Sequence, residues 1–237
     1  MPYPISVKKN DYHKNPKCST VYTPVTVSKF LFDILRPVIM RPRVQLHDCS
    51  IQVNGTRLAS CNAELSNTTV VFDPAIGTGR LTDPWHENCA AVYGCDTDDQ
   101  GAKCHQFDSC RFEDYQWWKI QYGTGEVVDM RPPDLVLCNP PFNGAEGRQL
   151  YPEVFLRRIF DLFGATVPTV LVCPMGLRLN QKKSSKRWRW LRDCGAKITS
   201  IVSLPTNTFP GVDFHTEILI FNVDGILPHY WLPEEAL

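Results

Sequence analysis

The stretch from Asp134 to Phe142 reads Asp-Leu-Val-Leu-Cys-Asn-Pro-Pro-Phe. Its apolar run, Leu135 to Cys138, is too short for a helix and has the character of a buried strand. Asn139-Pro140-Pro141-Phe142 stops that run, because neither proline has a backbone N–H to give to a neighbouring strand. A side-chain amide, a proline carbonyl and an aromatic ring are therefore expected at the strand's carboxyl end, the edge where open α/β sheets bind ligands. That set suits a planar amine. The Asn139 oxygen and the Pro140 carbonyl can both accept from one NH2 group while Phe142 stacks on the ring that carries it. The exocyclic amine of a base is a poor nucleophile, since its lone pair is delocalised, and two acceptors would draw it toward sp3 geometry. The plainer alternative is a strand ended by a rigid proline turn.

A second candidate set lies upstream. Val70-Val71-Phe72 reads as a buried strand, and Asp73-Pro74-Ala75-Ile76-Gly77-Thr78-Gly79-Arg80-Leu81 leads from it into a helix. Gly77 and Gly79 let the backbone approach a ligand with no Cβ in the way. The turn lacks both the full dinucleotide fingerprint and the lysine of a phosphate loop. A ligand without phosphates, such as S-adenosylmethionine (AdoMet), fits it better. Asp96 follows at the end of the next strand, where a carboxylate can accept both hydroxyls of a ribose, with Asp98 and Asp99 as competitors.

The 237 residues carry 25 Lys and Arg against 25 Asp and Glu, so net charge alone does not suggest a nucleic-acid binder. The distribution is uneven, however. Arg178, Lys182, Lys183, Lys186, Arg187, Arg189 and Arg192 form an acid-free run with Trp188 and Trp190 interleaved, the footprint that a phosphate backbone selects. The alternative is a solvated helix that packs its tryptophans inward. The ten cysteines are scattered, and with no signal-peptide core they read as reduced thiols. Cys89, Cys95, Cys104 and Cys110, with His86 and His105, contain no Cys-x-x-Cys pair, so no metal site is assigned. No apolar run reaches membrane-spanning length, and a cytoplasmic protein without a membrane partner is expected.

The elements that must hold these residues follow from the pattern. Residues 1–21 read as a polar arm, and 22–237 as a single catalytic domain. A helix with Thr23 as its cap and Pro24 in its first turn is expected to stop near Pro37. Asn54-Gly55 marks a β-hairpin inserted over 43–65. Strand–helix alternation then begins, with strands at 70–72, 91–95, 117–122, 135–138, 169–173, 198–204 and 215–221 and a helix over 150–163. This predicts a mostly parallel, seven-stranded α/β sheet with helices on both faces, a Rossmann-like arrangement.

The order Tyr22-Thr23-Pro24, Asp-Pro-Ala-x-Gly-x-Gly-x-Leu, Gly94-Cys95-Asp96 and Asn139-Pro140-Pro141-Phe142 resembles the AdoMet-dependent DNA methyltransferases that modify the N6 amine of adenine, including modification subunits of restriction systems. The late Thr216-Glu-Ile-Leu-Ile-Phe221 segment is similar to theirs as well. The resemblance spans residues 22 to about 223. It implies a Rossmann-like AdoMet methyltransferase fold with S-adenosyl-L-methionine as cofactor. Tyr22, Thr23, Asp73, Ala75, Gly77, Gly79, Asp96 and Asn139 would then bind the cofactor, with Thr23 at its methionine end. Asn139, Pro140 and Phe142 would be catalytic. Pro141, Phe142 and Phe209, with Phe214 as a rival, would hold a flipped-out base. Lys182, Lys183, Lys186 and Arg187 would meet the DNA backbone. The residue contacting the cofactor's adenine is expected at the end of the third strand and is not placed.

Members of this type usually carry a separate target-recognition domain, and none is legible here. Weak sequence preference, a partner subunit that supplies recognition, and loss of the DNA role are the three explanations. Asn-Pro-Pro followed by an aromatic also occurs in enzymes that methylate RNA or protein glutamine. A methyltransferase-like subunit that binds without turnover is the remaining alternative.

Overall fold

The computed structural model describes residues 22–40, 52–53, 56–57, 68–117, 131–142, 150–179, 182, 185–206, 208–209, 212 and 214–233. In chain order the elements are α1 (Val25–Ile39), β1 (Gln52–Val53), β2 (Thr56–Arg57), β3 (Val70–Asp73), α2 (Asp83–Glu87), β4 (Ala91–Asp96), β5 (Gln106–Ser109), β6 (Leu135–Cys138), α3 (Tyr151–Phe163), β7 (Thr169–Pro174), α4 (Gly176–Leu179), α5 (Lys186–Asp193), β8 (Ile198–Ser203), β9 (Thr216–Phe221) and β10 (His229–Trp231). β1 and β2 pair antiparallel, Val53 opposite Thr56. The remaining eight strands form one sheet in the order β10-β8-β9-β7-β6-β3-β4-β5, in which only β9 runs against its neighbours.

The central strands are buried along their whole length because both faces are covered, the usual condition of parallel sheets. Alternate side chains divide between two cores. Val71, Leu135, Leu137, Val170 and Val172 point to the face covered by Val27, Leu31 and Leu35 of α1 and by Trp85 of α2. Phe72, Val136, Cys138, Leu171 and Cys173 point to the opposite face, against Phe155, Leu156, Ile159, Phe160 and Phe163 of α3. Each such side chain contributes roughly 1.5–3 kcal/mol by leaving water. At the amino ends, Asp134 locks β6 to β3, its Oδ2 accepting from the Val70 N–H (2.8 Å) while Oδ1 pairs with Arg131 (2.8 Å).

The topology fixes where a ligand fits. The chain lays down β3, then β4 and β5 on one side, and returns to place β6 on the other side of β3. The carboxyl ends of β3 and β6 therefore flank the point where strand order reverses, the crevice that α/β sheets use for binding. Asp73 ends β3, and Asn139 follows β6.

Several expectations need correction. The third strand is Gln106–Ser109, whereas Trp117 lies in a turn and 118–122 fall outside the described residues. An eighth sheet strand, β10, joins the seven expected. Helix α1 runs through Pro37 and ends at Ile39, just past the expected stop. The N-cap position of α1 is occupied by Pro24 rather than by Thr23. The proposed arm, 1–21, and most of 43–65 lie outside the described residues.

Candidate active site

A cavity of about 580 Å³ opens at the reversal point, within the size range of small-molecule sites. The Asp73–Thr78 turn forms its floor. Its walls come from Tyr22 and Thr23, from Asp96 at the end of β4, from Asn139, Pro140 and Pro141 after β6, and from Tyr151 and Phe155 of α3.

The floor is held by backbone donors. The Asp73 Oδ1 accepts from the Ala75 N–H (2.9 Å), and the Gly79 N–H donates to the Ile76 carbonyl (2.8 Å). Gly77 and Gly79 have φ of +50° and +82°, in the left-handed region that strains other residues. The Gly77 N–H donates to Asp96 Oδ2 (2.9 Å), and Asp96 Oδ1 accepts from the Thr97 N–H (2.8 Å). Each carboxylate oxygen has a second lone pair, so Asp96 can hold the turn and still accept from a ligand hydroxyl. The whole turn lies close over β4 because residue 94 is glycine. A Cβ there would come within 2.5 Å of Ile76 Cδ1 and 2.9 Å of its Cβ.

Asp73 is 1 % exposed. Burial pushes its carboxyl up from the usual 3.8 to about 8; the Ala75 N–H opposes that rise and the nearby Asp96 charge adds to it. A positive charge brought beside this carboxyl would favour its ionised form. AdoMet, which carries a sulfonium and an ammonium, fits a cavity with Asp73 and Asp96 in its wall.

Tyr22 crosses the cavity mouth, its hydroxyl donating to Gln100 Oε1 (2.7 Å) with Arg80 over its ring (5.4 Å). Beside it the Thr23 hydroxyl accepts from Asn139 Nδ2 (3.1 Å), bridging the segment before α1 to the end of β6. Thus Tyr22, Thr23, Asp73, Ala75, Gly77, Asp96, Asn139, Pro140 and Pro141 all line one cavity. Gly79 lies just behind it, packed on Ala102. The aromatics differ. Phe142 and Phe209 are each 1 % exposed and meet edge to face (6.1 Å), with Phe214 against Phe142 (5.7 Å), so neither ring faces the cavity in this arrangement.

The basic segment also divides. Arg187 is committed to the fold: its Nε donates to Glu153 Oε2 (2.6 Å) and its Nη1 to the Leu177 carbonyl (2.6 Å). Burial alone would raise Glu153, but hydrogen bonds from Arg187 and Arg157 hold it below the usual carboxylate range. Arg178 forks onto Glu217, which is fully buried (3.1 and 2.8 Å). The bonds to Glu153 and Leu177 tie Arg187 into the fold. Trp188 and Trp190 pack against the α3-side core, and Arg157 lies over Trp190 (4.0 Å). Lys182, Lys186 and Arg189 remain exposed, and Lys183 lies outside the described residues.

Sequence reasoning missed the wall formed by Cys110, Arg111, Phe112 and Glu113, which follow β5, and by Tyr151 and Phe155. With the third strand sought at 117–122, its true carboxyl end went unnoticed.

No protein-family profile matches the chain, and no curated protein matches it in sequence. Solved structures do. The modification subunit of a proposed type I restriction enzyme from Vibrio vulnificus superposes with a TM-score of 0.56 over 93% of this chain and 49% of its own, at 17% identity. The type I restriction-modification methyltransferase subunit from Streptococcus thermophilus gives 0.55 over 94% and 50%, at 14% identity. A proposed class I S-adenosylmethionine-dependent methyltransferase from Listeria monocytogenes gives 0.54 over 91% and 66%, at 14% identity. The fold is that of the class I AdoMet-dependent methyltransferases. The chain spans about half the length of the type I subunits it matches. Among the described residues no helix is long and apolar enough to cross a membrane, and no group of three or more His, Cys, Asp or Glu side chains is arranged to hold a metal.

Proposed function

We propose that this chain is an AdoMet-dependent methyltransferase that acts on the N6 amine of adenine in DNA. One observation carries the reading. Asn139-Pro140-Pro141, the set suited to a planar amine, lines the same cavity as the glycine turn and Asp96, the set suited to a nucleoside without phosphates.

Bound AdoMet would supply an electrophilic methyl group on a positively charged sulfur. The chain's own residues would do the positioning. Asp73 and the Ala75–Gly79 turn would hold the cationic end, and Asp96 would accept from the ribose. Asn139 Oδ1 and the Pro140 carbonyl accept from the target amine, aligning its lone pair with the methyl group. Methyl transfer from the sulfur to the amine nitrogen would be the chemistry that the cofactor supplies, and the chain's part would be to hold that nitrogen while its surplus proton leaves to solvent. The enzyme's contribution is orientation and two fixed acceptors.

The base must leave the duplex to reach this cavity. For Phe142 to stack on it, the ring turns out of its edge-to-face packing with Phe209 and Phe214, contacts worth about 0.5–1.5 kcal/mol each beyond burial. Base–aromatic stacking returns about 1–3 kcal/mol, enough to offset much of that loss. Phe209 then bounds the space that Phe142 vacates. Lys182, Lys186 and Arg189 supply backbone contacts, with Lys183 assigned to the same role from sequence. A partner subunit supplies target recognition, a reading supported by the likeness to subunits of type I restriction-modification systems.

The test is transfer of labelled methyl from AdoMet into unmethylated DNA, RNA and total protein, with Asn139→Ala in parallel. Label recovered as N6-methyladenine, and lost in the variant, supports the proposal. Label in RNA or in protein glutamine redirects it, and AdoMet binding without transfer, even with a recognition subunit added, points to a non-catalytic role.

A further inference from the structure

The charged side chains that line the cavity are mostly acids. Asp73, Asp96, Asp98 and Glu113 share its wall with two arginines, Arg80 and Arg111. Among the described residues Arg111 pairs with Glu113 (3.3 Å), whereas Arg80 enters no ion pair. The Arg80 guanidinium lies over the Tyr22 ring (5.4 Å), a contact that orients the group without neutralising it. Asp83, three residues on, feels its charge without bonding to it.

The position of this cation gives it a use. Arg80 directly follows the glycine turn, and the Tyr22 ring it rests on stands over that turn, where a Cβ on Gly77 would lie 3.9 Å from Tyr22 Cε1. The turn thus begins at a buried acid, Asp73, and ends at an exposed arginine on the cavity wall. An amino-acid end carries an ammonium and a carboxylate on one carbon. Asp73 suits the first charge, but a carboxylate brought among four acids is repelled unless a cation meets it. A guanidinium meets it well, since its fork offers two parallel N–H donors to the two oxygens.

We propose that Arg80 anchors the carboxylate of the ligand's amino-acid end, so that the cavity selects an intact methionine moiety over one that lacks this group. The inference rests on the reading of the cavity as an AdoMet site. Because Arg80 is exposed, the anchoring weakens as salt rises.

The experiment is calorimetry of AdoMet and of decarboxylated AdoMet, which keeps the sulfonium and the ammonium and lacks only the carboxylate. Wild type, Arg80→Met and Arg80→Lys are compared, with DNA affinity measured alongside. Arg80→Met is expected to weaken AdoMet about tenfold, the scale of one charge-assisted hydrogen bond at a partly exposed site. It should not weaken decarboxylated AdoMet, which carries only positive charge and is relieved of a repulsive neighbour. Arg80→Lys keeps the charge without the fork and should stay within about threefold of wild type for AdoMet. An equal loss for both ligands would overturn the inference and make Arg80 a prop for Tyr22. Unchanged affinity for both would overturn it too, and a fall in DNA affinity in that case would reassign Arg80 to the phosphate backbone. A wild type that binds neither ligand overturns the methyltransferase reading itself, a distinct result.

Discussion

Gly94→Ala tests whether the close seat of the glycine turn on β4 positions the cofactor site. The added Cβ would lie 2.5 Å from Ile76 Cδ1, 2.9 Å from its Cβ and 3.1 Å from its Cγ2. Ordinary carbon contacts start near 3.5 Å. The Cδ1 clash can be relieved by a rotamer change, but the Cβ clash is fixed to the backbone and moves the turn by roughly half an ångström or more. Ile76 also donates its N–H to the Cys95 carbonyl (3.2 Å), and the next residue but one upstream of Gly79 is Gly77, whose N–H holds Asp96. A displaced turn thus strains two backbone hydrogen bonds as well as the core. Overpacking of this kind typically costs about 1–3 kcal/mol. Urea unfolding should show a lower midpoint with an unchanged slope, and calorimetry should show S-adenosylhomocysteine affinity lower by about tenfold or more. Ile76→Ala in the same chain removes Cδ1 and Cγ2 and should recover part of the loss, giving a non-additive cycle. If Gly94→Ala costs less than about 0.5 kcal/mol and leaves affinity unchanged, the argument that β4 sets the turn's position is refuted.

Other predictions follow from the ion pairs and the buried carboxyl. Asp73 has a folded pKa raised to about 8, so it contributes most to stability below its unfolded value, and that contribution is lost as pH rises through 8. Asp73→Asn should remove this dependence; equal pH slopes in thermal melts of the two proteins would count against it. Arg178→Met strands the fully buried Glu217 and should cost about 3–5 kcal/mol, whereas adding Glu217→Leu should recover much of it. Denaturant unfolding of the single and double variants checks both. Lys182→Ala and Lys186→Ala should each lower the salt slope of DNA binding by about 1 with unchanged melting temperature. Arg187→Ala should instead melt early, because its partners are Glu153 and the Leu177 carbonyl.

How much of this was legible in the sequence depends on how local each signal is. The strand leading to Asn139 shows itself in four apolar residues and two prolines, and the glycine turn in residues of positive φ, so both were readable without neighbours. β5 was not. It is a half-exposed edge strand, Gln-Phe-Asp-Ser, with no apolar run to mark it, and the cavity wall after it was lost with it. β10 is likewise short, mostly exposed and preceded by proline.

The basic run shows a different limit. Charge counting treats Arg178, Lys182, Lys186 and Arg187 alike, yet two of them answer acids 39 and 34 residues away. Glu217 sits in a fully buried strand between β7 and β8, where an unpaired carboxylate would be untenable, so it requires a cation from outside the strand. Sequence does offer that clue, since a single acid within Thr-Glu-Ile-Leu-Ile-Phe must be satisfied somewhere. What it withholds is which cation answers, because that choice is made by the packing of α4 over the sheet. The segment's free positive charge is therefore smaller than its composition suggests, and any phosphate it meets will be held by the lysines and Arg189 rather than by the arginines that tie the segment down.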